Sequence, residues 1–327
     1  MRSSALVCLA LVACSDPPIA GNADGSVGLD AAAPDAKTEP AYAATPIAPG
    51  ARTIVFSSRR TSGEHDLFLT DLDGVGLEQL TANDGDDYFP AFSADKSRIL
   101  FSGTRGSTVV GVYEMALPSH EVRALVDSGF LRASTPAISP DGTRVAFEGL
   151  VRGSTNTDIF LVTNGGAPTR LTPSDTQESA PTFSPDGQRI FFVSNRDQSP
   201  VVFSAQLYSM RLDGMDLVRE TSTTTPGLLL GRPSVSPDGM HVAFARFDYR
   251  RQTSIIVELD RATHTEQVIS EDNDYEPSYG SEGRYLVFGT ARFGGSDLML
   301  LDRTAGGAPK RITQHLAVDG QPALAPP

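Results

Sequence analysis

The sequence predicts an all-β chain folded as a six-bladed β-propeller of four-stranded antiparallel blades. Three observations predict it. Near-copies of one stretch recur at 135–149 (TPAISPDGTRVAFEG), 180–194 (APTFSPDGQRIFFVS) and 232–246 (RPSVSPDGMHVAFAR). The proline that precedes each turn keeps a period: Pro90, Pro136, Pro181, Pro233, Pro277 and Pro322 stand 46, 45, 52, 44 and 45 residues apart. A fixed period in the forties marks an array of supersecondary units. No segment of 51–327 carries a long amphipathic helical stripe with caps.

Each unit has one grammar. A short apolar strand follows the proline (PTFS), then a turn, then a β-rich strand (RIFFVS). A variable loop leads to a third strand, as in 66–74, 158–166 and 297–307, and a fourth closes the unit, as in 77–81, 168–172 and 309–313. Alternating β-branched residues bounded by Gly and Asp turns read as strands. Four short strands per repeat is the sequence form of a propeller blade.

The turn is hairpin chemistry. In Ser139-Pro140-Asp141-Gly142, Pro presets φ near −65°, Asp suits the next position, and Gly takes the left-handed one. Ser184–Gly187 and Ser236–Gly239 repeat it; Ser93–Lys96 and Gly280–Gly283 are decayed copies. Three strands precede the first ruler proline, and GQPALAPP (320–327) opens a unit and stops at the turn. The two ends together therefore complete a sixth blade, and pairing them removes the free edges. The competing source of that strand, TPIA at 45–48, falls one residue short of the ruler spacing.

The N-terminus reads as an address. Arg2 precedes an apolar run, Ala5–Ala13, too short to span a bilayer and suited to a secretory signal. Leu11-Val12-Ala13-Cys14 resembles a bacterial lipobox, which implies cleavage after residue 13 and lipid on Cys14. Residues 14–50 are rich in Ala, Pro and Asp and lack periodicity, the composition of a disordered stalk. The expected organisation is a 1–13 signal peptide, a 14–50 lipidated stalk and a 51–327 propeller.

Composition excludes several function classes. Forty acids against 27 bases give a net charge of −13, unsuited to a nucleic-acid partner. The two cysteines, Cys8 and Cys14, both lie at the N-terminus, so the body offers no disulfide, thiolate zinc site or thiol nucleophile. The five histidines form no HxxxH or HExxH pattern. No GxSxG elbow and no phosphate-binding glycine loop is present. The expectation is no metal, no cofactor and no catalytic residue.

The run PxxSPDGxRIxF, with DIFLV and RLT after it, resembles the propeller of TolB and related WD-like propellers over residues 51–327. TolB is a periplasmic protein of the Tol–Pal envelope system, so the resemblance implies a non-enzymatic, protein-binding propeller whose chain closes its own ring. Together with the lipobox, it implies a monomer anchored by Cys14 on the periplasmic side of the outer membrane, with unidentified envelope proteins as partners.

Candidate binding residues are sought where the repeat breaks. Loops that lead into first strands are acidic: Asp84, Asp86, Asp87 and Tyr88; Asp175 and Glu178; Asp272, Asp274 and Tyr275; Asp319. They form either a ligand-binding mouth or simply polar turns on a solvated rim. The connection 221–233 holds Leu228, Leu229 and Leu230, a contact patch or residues tucked into the blade. The segment 194–210 extends a hairpin in the same region. Asp66, Asp158 and Asp297, at third-strand starts, are expected to cap backbone groups or pair with Arg59, Arg152 and Arg292. The favoured function is protein–protein interaction; the alternative is a glycan- or cation-binding receptor, or a glycan-acting enzyme, using the acidic mouth.

Overall fold

The computed structural model describes residues 54–61, 63–197, 205–221, 228–248, 252–270, 273–280 and 282–325. The expectations for residues 1–50, Cys14 included, and for Asp272 lie outside that set. Among the described residues every element is a strand, and the strands form six separate sheets.

Blade 1 joins Asp319–Leu324 to Ile54–Ser58, Asp66–Thr70 and Glu78–Gln79. Blade 2 is Asp87–Phe92, Arg98–Gly103, Gly111–Ala116 and Val122–Val126; blade 3 is Phe130–Ile138, Arg144–Val151, Asp158–Thr163 and Thr169–Arg170. Blade 4 is Glu178–Phe183, Arg189–Ser194, Gln206–Arg211 and Val218–Arg219. Blade 6 is Asp274–Tyr279, Tyr285–Thr290, Asp297–Asp302 and Lys310–Arg311. In blade 5 the inner strand is split into Leu228–Leu230 and Ser234–Val235; both pair with His241–Asp248, and Thr253–Asp260 and Thr265–Ser270 follow. The leucine run is therefore ladder, not loop: Leu228 pairs with Asp248 and Leu230 with Arg246. A three-residue strand offers too weak a periodic signal to be read in sequence.

Inner strands touch their neighbours in sequence order, and blade 6 meets the strand Asp319–Leu324, which closes the ring. That strand runs antiparallel to Ile54–Ser58, with Val55 opposite Ala323 and Ser58 opposite Asp319. The closure expected from the ruler is thus observed.

Six apolar clusters hold the ring, one in each gap between adjacent blades. Each second strand contributes a fully buried phenylalanine: Phe56, Phe101, Phe147, Phe192, Phe244 and Phe288. A sheet exposes two faces, so each inner and second strand must cover apolar side chains on both sides, and only neighbouring blades can do it.

The repeated turns do two jobs. Ser139 Oγ donates to Asp141 Oδ1 at 2.6 Å, and the Thr143 N–H donates to the same oxygen at 3.0 Å, fixing the hairpin. Gly187 has φ +66°, and a β-carbon there would stand 3.4 Å from Cδ of Pro140 in the preceding blade. Pro185 and Pro237 approach Gly239 and Gly283 in the same way, at 3.9 and 3.5 Å. The motif thus also seats each blade against the one before it.

Candidate functional site

Antiparallel topology places two kinds of connection at one end of all blades: those leading into inner strands, and those between second and third strands. This loop face surrounds one mouth of the central channel and holds the acidic candidates.

Those carboxylates are not free. Asp87, Glu178, Asp274 and Asp319 each start an inner strand and are fully buried. Each meets an arginine that lies just past the second strand of its own blade. Arg105 binds Asp87 through two nitrogens at 3.2 and 3.0 Å, Arg196 binds Glu178 at 2.9 Å, and Arg60 binds Asp319 at 2.6 Å. Arg292 binds Asp274. Three of these guanidiniums also lie over two aromatic rings of the blade: Arg60 on Phe56 and Phe68, Arg105 on Phe101 and Tyr113, Arg196 on Phe192 and Tyr208. Burial pushes the carboxyls of Asp87, Glu178 and Asp274 up, and their arginines and hydroxyl partners offset only part of it. Blade 3 inverts the pair, with Arg132 on the inner strand and the buried Glu148 on the second, at 3.0 Å.

The remaining candidates divide. Asp84 and Asp175 are exposed. Asp86 is half-buried and accepts from the His65 N–H at 2.9 Å. Burial raises its carboxyl, but the hydrogen bonds and charge of His65, with the charge of Arg59, outweigh this and hold it below the usual range. Tyr88 packs edge-on to Phe89, and the Tyr275 hydroxyl meets Ser296 Oγ. The structure thus brings the inner-strand acids to one mouth but locks each to its own blade.

The pairing expected for the third-strand acids is corrected in two blades. Asp158 pairs with Arg170 at 2.6 Å and Asp297 with Arg311 at 2.7 Å, both on outermost strands, while Arg292 is taken by Asp274. A third-strand start lies nearer the adjacent outer strand than the far side of the loop before it.

The residue before each ruler proline was missed. These six are Phe89, Thr135, Ala180, Arg232, Glu276 and Gln321, one per blade. Five have φ between 50° and 55°, left-handed backbone in non-glycine residues. Each lies within a break in the inner-strand register, a β-bulge that re-aims one side chain. They ring the channel. Arg232 of blade 5 shows it, because its guanidinium stacks 5.8 Å from the Phe89 ring of blade 2, the opposite blade. The same guanidinium donates to the Pro136 carbonyl of blade 3 at 3.5 Å. Gln321 Oε1 accepts from the Phe89 N–H at 2.9 Å and from Ser57 Oγ at 3.0 Å. A signal existed in sequence: beside a proline common to all six units stands a position with six different residue types.

Glu276 is the charge that stabilises Arg232, and the two are the ionisable members of the ring. Burial pushes Glu276 up to about 7, against the pull of Arg232 and a backbone hydrogen bond from Gln321. Between about 4.5 and about 7 the folded chain keeps a proton that the unfolded chain has released. Stability from this group is therefore greatest at low pH and falls as pH rises through that window. Urea unfolding of the native chain and Glu276→Gln, from pH 4.5 to 8, should show the native chain losing ground against the variant and then levelling off. Parallel curves would refute the assignment.

No family model matches the chain. Among curated proteins, the TolB homologue of Chlorobium luteolum is 34% identical over 159 residues, 47% of this chain and 34% of that protein. The TolB homologue of Chlorobium chlorochromatii is 30% identical over 153 residues, 44% of this chain and 31% of that protein. Among solved structures, TolB of Acinetobacter baumannii superposes with a TM-score of 0.72 at 20% identity, covering 84% of this chain and 67% of that one. The propeller is TolB-like. A putative TolB of Agrobacterium tumefaciens gives a TM-score of 0.62 at 19% identity, over 82% of this chain and 91% of that one. An uncharacterized peptidase, YuxL of Bacillus subtilis, is 27% identical over 210 residues, 61% of this chain and 29% of that protein. The matched stretch spans about a third of the length of these curated relatives. What the chain shares with the two solved TolB structures is the propeller fold.

Proposed function

We propose that the chain is a non-enzymatic, lipid-anchored protein-interaction module of the bacterial cell envelope. Cys14 carries the lipid, residues 15–50 act as a tether, and the TolB-like propeller binds an envelope protein with its loop face. The module is a monomer held at the periplasmic side of the outer membrane. The observation that carries this reading is that the two longest connections between strands, 195–205 and 220–227, both open at one channel mouth, beside the variable ring, whereas the Ser-Pro-Asp-Gly hairpins stand at the opposite end. The segments between Ser194 and Gln206 and between Thr221 and Leu228 start and finish at that face. The rival reading, a glycan or cation site at an acidic mouth, is disfavoured because Asp87, Glu178, Asp274 and Asp319 already spend their charge on arginines.

Crosslinking and affinity capture from intact envelopes, with the full chain as bait, test this. One defined protein should be enriched, and deletion of 222–227 should reduce its capture at least tenfold without lowering the melting temperature. Cys14→Ser should move the chain from the membrane to the soluble fraction. Equal capture by the deletion variant, or membrane retention of the Cys14 variant, overturns the corresponding part.

A further inference from the structure

The ring at the channel axis holds a cation with a single protein acceptor among the described residues. A guanidinium has five N–H donors in a planar fork. Among the described residues, Arg232 uses one, in the long contact to the Pro136 carbonyl. One face lies against Phe89, which suits a weakly hydrated cation but satisfies no donor. Thr135 occupies the same ring, one residue from that carbonyl. It is 3% exposed, and its Oγ1 has no hydrogen-bond partner among the described residues. A buried hydroxyl without a partner costs about 1–3 kcal/mol, so it is an unusual thing to keep.

We propose that the central channel binds a small organic carboxylate, held by the guanidinium fork of Arg232 with the Thr135 hydroxyl as a second donor. The fork matches a carboxylate with two parallel hydrogen bonds. Phe89 and Ala180 give the ring apolar wall, suiting a short acid with a hydrocarbon body better than a fully hydrated inorganic anion. The other charge in the ring, Glu276, competes with the ligand for Arg232. Glu276 is kept partly protonated near neutral pH by its burial, which weakens that competition. The site goes beyond the loop-face reading and needs no protein partner.

The test is isothermal titration of the full chain with sodium acetate and with disodium succinate at pH 6.5, ionic strength being held with sodium chloride. Saturable binding of at least one acid is expected. Arg232→Gln should weaken it at least tenfold, and Arg232→Lys nearly as much, because an ammonium keeps the charge and loses the fork. Thr135→Val should weaken it severalfold, and Glu276→Gln should tighten it severalfold. If the Arg232 variants do not fold, the opposite effects of the Thr135 and Glu276 variants decide. No saturable binding to the native chain, or affinities unmoved by these substitutions, overturns the proposal. Since the titration contains no partner, its failure leaves the capture experiment unaffected.

Discussion

Removing residues 319–327 should abolish cooperative unfolding of the propeller. Asp319–Leu324 is the inner strand of blade 1 and the partner of Ile54–Ser58. Without it, one edge of Ile54–Ser58 loses its ladder, and the apolar clusters that flank blade 1 lose Leu324 and Ala323. Ile54, Val55 and Phe56, all fully buried, would border water. Two further contacts go with it: the Gln321 acceptor for Phe89 N–H and the Asp319 partner of Arg60. An open edge also invites pairing between chains. The expected result is a soluble oligomer or aggregate with a broad, shallow melt in place of a sharp transition. A synthetic peptide of 319–327 added during refolding should restore the sharp melt, since the missing piece is a strand and needs no covalent link to pair. A truncated chain that melts as the native one does would show the closure to be dispensable.

Arg60→Met should destabilise the chain by about 3 kcal/mol, because breaking a buried pair leaves an uncompensated charge. Of the arginine–carboxylate pairs at the mouth, this one is the most secluded, with side chains 6% and 0% exposed. The methionine keeps an apolar stem over Phe56 and Phe68, so the loss reports mainly on stranded Asp319. On a chain of this size that corresponds to a fall in melting temperature on the order of 5–10 °C. Adding Asp319→Leu should recover most of the loss, since apolar replacement of a whole buried pair is often neutral or better. Thermal melts of the two variants measure it. A double variant worse than the single one would mean that Asp319 acts through something other than Arg60.

Much of the fold was legible because its constraints are local or periodic. The prolines fix the period, the Ser-Pro-Asp-Gly turns fix the hairpins, and the truncated unit at the C-terminus fixes the closure. The channel was not legible, because Glu276 is aimed by a bulge and Arg232 by the break between Leu228–Leu230 and Ser234–Val235. Two-residue alternation assigns a side chain to a face of the sheet; a left-handed residue suspends the alternation, and reading strands by period loses track of the next direction. The acidic mouth was misleading for a different reason. Composition counted the carboxylates of Asp87, Glu178 and Asp274, but their arginines lie 18 residues further on, beyond the second strand. That constant spacing is visible in hindsight as a second ruler, running beside the prolines. Leu228–Leu230 escaped because three residues are too few to display a pattern.

The wrap-around blade sets an order of assembly. Among the described strands Ile54–Ser58 is made first and Asp319–Leu324 after all the others, so the first sheet to emerge is the last of these six to be finished. Until then the nascent chain has no complete circle to lock into, and the earliest strand stays available for reversal. The same arrangement leaves any product of translation interrupted before Asp319 without the inner strand that its first sheet needs.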